Sequence, residues 1–173
     1  PHPCFSRPLI ERVTLQNGLR LIVSEDHSLP FVTLQLIIDG GSRVDPPDKW
    51  GLSYLTAKGM LHGTVRQTSQ QMSRSLDFLG ASLSSSSSAD YMSMGLKVLK
   101  KDLAQGFNLF IDALTQPIFP EEELRHEIQR TIGAIKSQEE DPGDLSEKEF
   151  EKAIFSSTPY GHPVMGTEES IAR

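Results

Sequence analysis

The residues best able to hold a metal or move a proton are five histidines, His2, His27, His62, His126 and His162, and no two of them stand at ligand spacing. The nearest approach to a zinc-binding helix is the run His126-Glu127-Ile128-Gln129-Arg130. In an H-E-x-x-H motif its second ligand would be Arg130, whose guanidinium stays protonated and cannot coordinate. His126 is therefore read as a surface helix residue. No G-x-S-x-G elbow and no glycine-rich phosphate loop is present. Cys4, the single cysteine, has no disulfide partner and no local context for a nucleophile. One stretch remains, GLSYLTAKGMLHGT at residues 51–64, in which Tyr54 and Lys58 share a helical face with Ala57 beside them. The question it poses is whether it is a site that has lost its chemistry or an ordinary amphipathic helix.

The elements that would position these residues can be read from periodicity. Between Glu11 and Asp39 the order is strand, turn, strand, loop, strand: ERVTLQ, the hairpin signal Asn17-Gly18, LRLIVSED, a break at Leu29-Pro30, and FVTLQLIID. Leu52, Leu55 and Leu61, with Tyr54 and Met60, then recur at helical spacing. A second helix over TSQQMSRSLDFLG has Thr68 as its N-cap and Gly80 at its end. The serine run Ser84 to Ser88 has the composition of a flexible linker. Against that reading, Met92, Met94, Leu96 and Val98 alternate with polar neighbours, so residues 81–99 are expected to form a two-stranded hairpin with a polar edge strand. Three helices complete the chain: the stripe Leu103, Phe107, Phe110, Ile111, Leu114; a long acidic helix opened by Pro120; and residues 143–155. The loop TPYGHPVMGT leads to Glu168. This order predicts an α+β fold, a largely antiparallel sheet with helices packed on it.

Composition narrows the function. A formal charge of -6 argues against nucleic acid or an anionic membrane as the main partner. No apolar run approaches the roughly 20 residues of a transmembrane segment. The prolines around Cys4 predict a loose N-terminal arm over residues 1–10, with the domain proper over 11–173. Because the chain begins at Pro1, it leaves open whether an export signal precedes it.

Set after a three-strand segment ending in GGSRVDPPDKW, GLSYLTAKGMLHGT resembles the zinc helix of the inverzincins, the pitrilysin, insulinase and mitochondrial processing peptidase family (peptidase family M16). There the helix reads G-x-x-H-x-x-E-H-x-x-x-x-G-[TS], and Gly51, Leu52, Met60, Gly63 and Thr64 fit its frame. LQNGLRLIVSEDHSLPFVTLQLIIDGGSR before it, LDFLGASLSSSSSADYMSM after it, and STPYGHPVMGTEESI, similar to the family's Y-G-x-P-x-x-G-T loop, extend the resemblance over roughly residues 11–173.

The resemblance implies a processing-peptidase (LuxS/MPP-like) fold, with the domain cut short at its C-terminal end. It also assigns places to the chemistry. The two histidines and the general base of H-x-x-E-H fall on Tyr54, Lys58 and Ala57. The distal glutamate ligand, roughly 74 to 77 residues beyond the second histidine, falls among Ile132, Gly133, Ala134 and Ile135. Ala134 is the place taken for it, and Glu127 stands seven residues earlier, where active members carry an accessory glutamate. Glu127 can equally be an acidic residue on an exposed helix face. With Tyr54, Ala57, Lys58 and Ala134 in these positions, no zinc and no catalysis are expected of this chain alone.

The implied role is a non-catalytic half or subunit of a zinc metalloendopeptidase, helping to form the chamber that holds a peptide substrate. Zinc would sit on an active partner, either a separate subunit or a second half of the same polypeptide. Peptide would add to the edge strand at Ser84, Ser85 and Ser86. Two alternatives stand beside it: a structural or assembly core subunit with no proteolytic partner, and an active peptidase with ligands elsewhere. The compartment stays open, with the bacterial periplasm favoured over the mitochondrial matrix.

Overall fold

In the computed structural model, residues 10–172 are described. Most of the expected N-terminal arm, with Cys4, lies outside them. The chain forms two compact units, residues 1–31 and 32–173.

The first unit is a hairpin of β1 (Ile10–Thr14) and β2 (Arg20–Ser24), antiparallel, with Val13 opposite Leu21 and Arg12 opposite Ile22. Its turn is where Asn17-Gly18 predicts it. Gly18 has φ +85°, a conformation that costs a residue with a Cβ, and the Asn17 side chain accepts a bond from Leu19 N at 3.1 Å.

The second unit holds a three-stranded sheet in the order β3-β5-β4: β3 (Phe31–Asp39, whose first residue belongs to the first unit), β5 (Tyr91–Leu99) and β4 (Ser82–Ser87). The serine run is a strand. β4 pairs antiparallel with β5, Ser85 opposite Met94 and Ser84 opposite Gly95. The alternation of β5 decides this, since Met94, Leu96 and Val98 are buried to 1% exposure or less and require an ordered face above them. Leu83, Ser85 and Ser87 share that face, while Ser82, Ser84 and Ser86 point to the opposite, exposed side.

Helices cover the buried face. α1 (Leu52–Gly59) packs on β4 and β5, α3 (Leu103–Thr115) on β5, and α2 (Ser69–Leu79) against α3 and β4. The core they enclose contains Met60, Met72, Leu79, Met94, Leu96, Val98, Leu109, Phe110 and Ala113. α2 begins at Thr68 in a capping box with Gln71 and ends at Gly80, φ +57°, as its sequence predicts.

The long helix α4 (Glu121–Glu140) follows Pro120 and packs on α1. It buries the stripe Glu127, Thr131, Ile135, a four-residue repeat on one face. α5 (Pro142–Phe155) folds back on α4, its N-terminus capped by the Asp141 carboxylate, which accepts from Gly143 N at 2.7 Å and Asp144 N at 3.1 Å. The short helix α6 (Glu168–Ile171) closes against α4 through Lys136–Glu168, 2.9 Å.

Candidate functional site

α1 is held in place at both ends by glycines that admit a neighbour. At its start Gly51 has φ +92°, and a Cβ there would meet Ile171 Cδ1 and the Met165 carbonyl oxygen, each at 2.5 Å. The side chain that satisfies this terminus comes from outside the helix. Asp45 accepts from Gly51 N and Ser53 N, both at 3.0 Å, and from the Ser53 hydroxyl. At its end Gly59 lies under the ring of Phe119, where a Cβ would come within 2.7 Å of Cδ1. Phe119 itself has φ +46°, a strained conformation for an aromatic residue, immediately before Pro120 starts α4. This fixes how closely α4 approaches α1.

Along α1 the residues expected from the motif lie as follows. Tyr54 and Lys58 are half-buried and Ala57 is 1% exposed. The Lys58 ammonium sits 5.4 Å from the centre of the Tyr54 ring, a cation–π contact between the two places where histidines would stand. The Ala57 carbonyl accepts a hydrogen bond from the Ser85 hydroxyl, which ties the middle of α1 to β4. β4 and α1 are thus adjacent. Ser84 and Ser86 face the other side of the sheet, where the Ser86 and Ser93 hydroxyls lie 2.9 Å apart. Ala134 is exposed on α4.

At the positions the resemblance assigns stand a phenol, a methyl group, an ammonium and a second methyl group, where active members would carry two neutral imidazoles, a general base and a carboxylate. Among the described residues no group of three or more His, Cys, Asp or Glu side chains could hold a metal.

The charged cluster that does join α1 and α4 was not read from the sequence. His62, in the turn after α1, has Nδ1 3.8 Å from the Glu123 carboxylate and Nε2 3.6 Å from that of Glu127. Glu127 is also 3.4 Å from the Arg130 guanidinium. The side chains of His62 and Glu127 are only 15% and 10% exposed. Glu127 is therefore not the exposed acidic residue that its place on a polar helix allows. The signal was present only in part: Glu123, Glu127 and Arg130 stand at i, i+4 and i+7 on α4, but nothing local pairs them with a histidine more than sixty residues earlier. Because the two carboxylates face different nitrogens of one ring, they bracket the imidazole and do not converge on a common ion. His126 is exposed, as expected of a surface helix residue.

The TPYGHPVMGT loop closes the far side of the same region. His162 stacks on Trp50, ring centres 5.0 Å apart and 9° from parallel, and the Ser170 hydroxyl donates to the Trp50 carbonyl at 2.7 Å. Tyr160 donates to Asp90 in the β4–β5 turn at 2.7 Å. That bond to a carboxylate, together with its negative charge, pushes the Tyr160 phenol above its ordinary value. Between this loop, α4 and α5 lies a cleft of about 610 Å³ bordered by Trp50, Tyr160, His162, Ile135 and the α5 residues Glu147 and Glu151.

Comparison with known proteins agrees with this architecture. The profile of the insulinase family (peptidase family M16) matches residues 20–168. The chain is 27% identical over 164 residues to the uncharacterized zinc protease YmxG of Bacillus subtilis (strain 168), covering 95% of this chain and 40% of that protein. It is 25% identical over 174 residues to the mitochondrial-processing peptidase subunit alpha of Solanum tuberosum, covering 100% of this chain and 34% of that one. Cytochrome b-c1 complex subunit 1 of Bos taurus is 24% identical over 159 residues, 92% of this chain and 33% of that one. Among solved structures, a peptidase M16 inactive domain from Pseudomonas fluorescens superposes with a TM-score of 0.89 at 23% identity, over 94% of this chain and 40% of that chain, which establishes a shared fold. The chain spans about two fifths or less of the length of each of these relatives. On a match that runs from the second strand to the last helix, the chain belongs to the insulinase family, peptidase family M16.

Proposed function

We propose that this chain is a non-catalytic half or subunit of a two-part M16 zinc peptidase, shaping the peptide chamber around a zinc ion carried by another subunit or by a second half of the same polypeptide. On this reading residues 11–173 belong to the N-terminal peptidase-like domain. The observation that carries the reading is the pair Lys58 and Tyr54. An ammonium held over a phenol ring stands where the resemblance puts the two histidines of the zinc helix, while Gly51 fits the family frame and Gly59 lets α4 pack closely on α1. A frame kept without its donors suits a part whose shape is needed and whose chemistry is supplied elsewhere.

Peptide enters this proposal at β4. It is the end strand of its sheet among the described residues and is fastened to α1 by Ser85, so an extended segment could pair along its backbone near Ser84, Ser85 and Ser86. Mixing the chain with a family subunit that carries an intact H-x-x-E-H is the test. Turnover of an extended peptide should rise about tenfold or more over the partner alone, with no zinc on this chain. A partner fully active alone, unchanged in rate and cleavage preference by this chain, overturns it.

The second reading, a structural core subunit without a proteolytic partner, is favoured by the similarity to a cytochrome b-c1 complex subunit. It would then be found in a stable assembly with no peptidase activity. The compartment follows the assembly: relatives include bacterial proteins and mitochondrial-processing peptidase subunits, and an exported bacterial setting is the one we favour.

A further inference from the structure

The groove between α2 and α3 carries unspent positive charge in an acidic chain; we propose that it binds a carboxylate-bearing peptide segment. The groove encloses about 500 Å³, within the range of pockets that take a small ligand or a few residues of peptide. Two guanidiniums border it, Arg66 from the turn before α2 and Arg74 from α2, against one carboxylate, Asp112 of α3. The lining is thus net positive in a chain of formal charge -6.

The three charges have distinct roles. Asp112, 13% exposed at the floor, holds Arg66 Nη1 at 3.5 Å and so aims a guanidinium that is itself 65% exposed. Arg74 has no ion pair or side-chain hydrogen bond among the described residues, and it keeps all five donors for a ligand. Asn108 and Gln105 on α3 add amide groups along the opposite wall. Donors therefore outnumber acceptors, and the planar fork of a guanidinium matches a carboxylate in two parallel bonds.

Phe78 decides between a free anion and a peptide. It stands one helical turn beyond Arg74 on the same face of α2, and it is 87% exposed at the edge of the groove. A small anion would leave it unused. An acidic residue flanked by an apolar one would place its carboxylate on Arg74 and its neighbour on the ring.

The probe is an acetylated, amidated peptide of alternating glutamate and phenylalanine, added to the isotopically labelled full chain and followed by NMR. Its glutamine counterpart and inorganic phosphate serve as comparisons. No step needs a zinc-bearing partner, so the result is separate from the reading above. The acidic peptide should shift the Arg66 and Arg74 side-chain Nε–H signals and the Phe78 ring, and the glutamine peptide should bind about tenfold more weakly. Arg74→Gln should weaken binding about tenfold and Phe78→Ser severalfold, both at exposed positions where the unfolding temperature should hold. Equal binding of the glutamine peptide, shifts confined to other surfaces, or phosphate binding as tightly and ignoring Phe78→Ser would each overturn the proposal.

Discussion

His62 Nε2 lies 3.6 Å from the Glu127 carboxylate, joining the turn after α1 to the middle of α4. In active members of the family, as the resemblance implies, the zinc ion ties these same two helices together. Here a contact between two largely buried side chains joins them. Replacing His62 with alanine leaves Glu127 with only the exposed Arg130 and should destabilise the fold by about 1–3 kcal/mol. Glu127→Gln should cost a similar amount, and the double variant should cost less than the sum. Denaturant unfolding of the four proteins measures the coupling; strict additivity would show that the contact contributes nothing.

Reinstating the donors should reinstate the metal. The quadruple variant Tyr54→His, Ala57→Glu, Lys58→His, Ala134→Glu is expected to hold one zinc ion per chain by elemental analysis. Ala134 is exposed and will accept a carboxylate, but Ala57 is buried beneath the Ser85 hydroxyl, so a loss of stability accompanies the gain. Omitting Ala134→Glu should weaken zinc at least about tenfold. A folded quadruple variant without zinc would show that the helix is not aligned as assigned.

Gly51→Ala should be among the most damaging single-atom additions. It places a Cβ on a backbone at φ +92° and drives it into Ile171 and the Met165 carbonyl. Strain and overpacking together predict about 2–5 kcal/mol, read as a lowered unfolding midpoint. Gly133→Ala, on the same test, meets nothing within 4 Å and should be neutral or slightly stabilising because it lies within α4. Similar effects at the two glycines would refute the packing described at the start of α1.

The Tyr160 phenol is held above its ordinary value by its bond to Asp90 and by that carboxylate's charge. A folded value raised above the unfolded one means that the unfolded chain loses its proton first as pH rises. The contribution of the bond is therefore complete below the ordinary tyrosine range and is lost as pH climbs through the raised folded value. Asp90→Asn should bring the Tyr160 titration down, followed by NMR of ring-labelled tyrosine. An unchanged midpoint would mean that the bond does not form in solution.

Ser85→Ala removes the hydroxyl that β4 gives to the Ala57 carbonyl and should cost about 1 kcal/mol. Ser84→Ala, on the opposite face of the same strand, should cost less. Thermal unfolding of the two variants separates a serine that holds a helix from one that only faces outward.

What the chain determined locally could be read without its structure. Asn17-Gly18, Thr68, Gly80 and Pro120 are short-range devices, each acting within a few residues, and each sits where it was expected. The alternation of Met92 to Val98 outweighed the linker-like composition of Ser84 to Ser88, because burying an ordered apolar face requires a partner strand. The expectation of no zinc at Tyr54, Ala57, Lys58 and Ala134 likewise rests on their donor atoms alone. Tertiary structure decided the rest. Whether Glu127 faced water or a partner depended on His62, distant in the chain and brought near only by the packing of α4 on α1. Lys58 lies over Tyr54, a contact set by side-chain packing that periodicity does not encode. The groove holding Arg66, Arg74 and Asp112 exists only because α2 and α3 lie side by side. Local rules operate over one turn of helix or one hairpin; charges brought together from separate elements are arranged by the burial of the apolar faces between them.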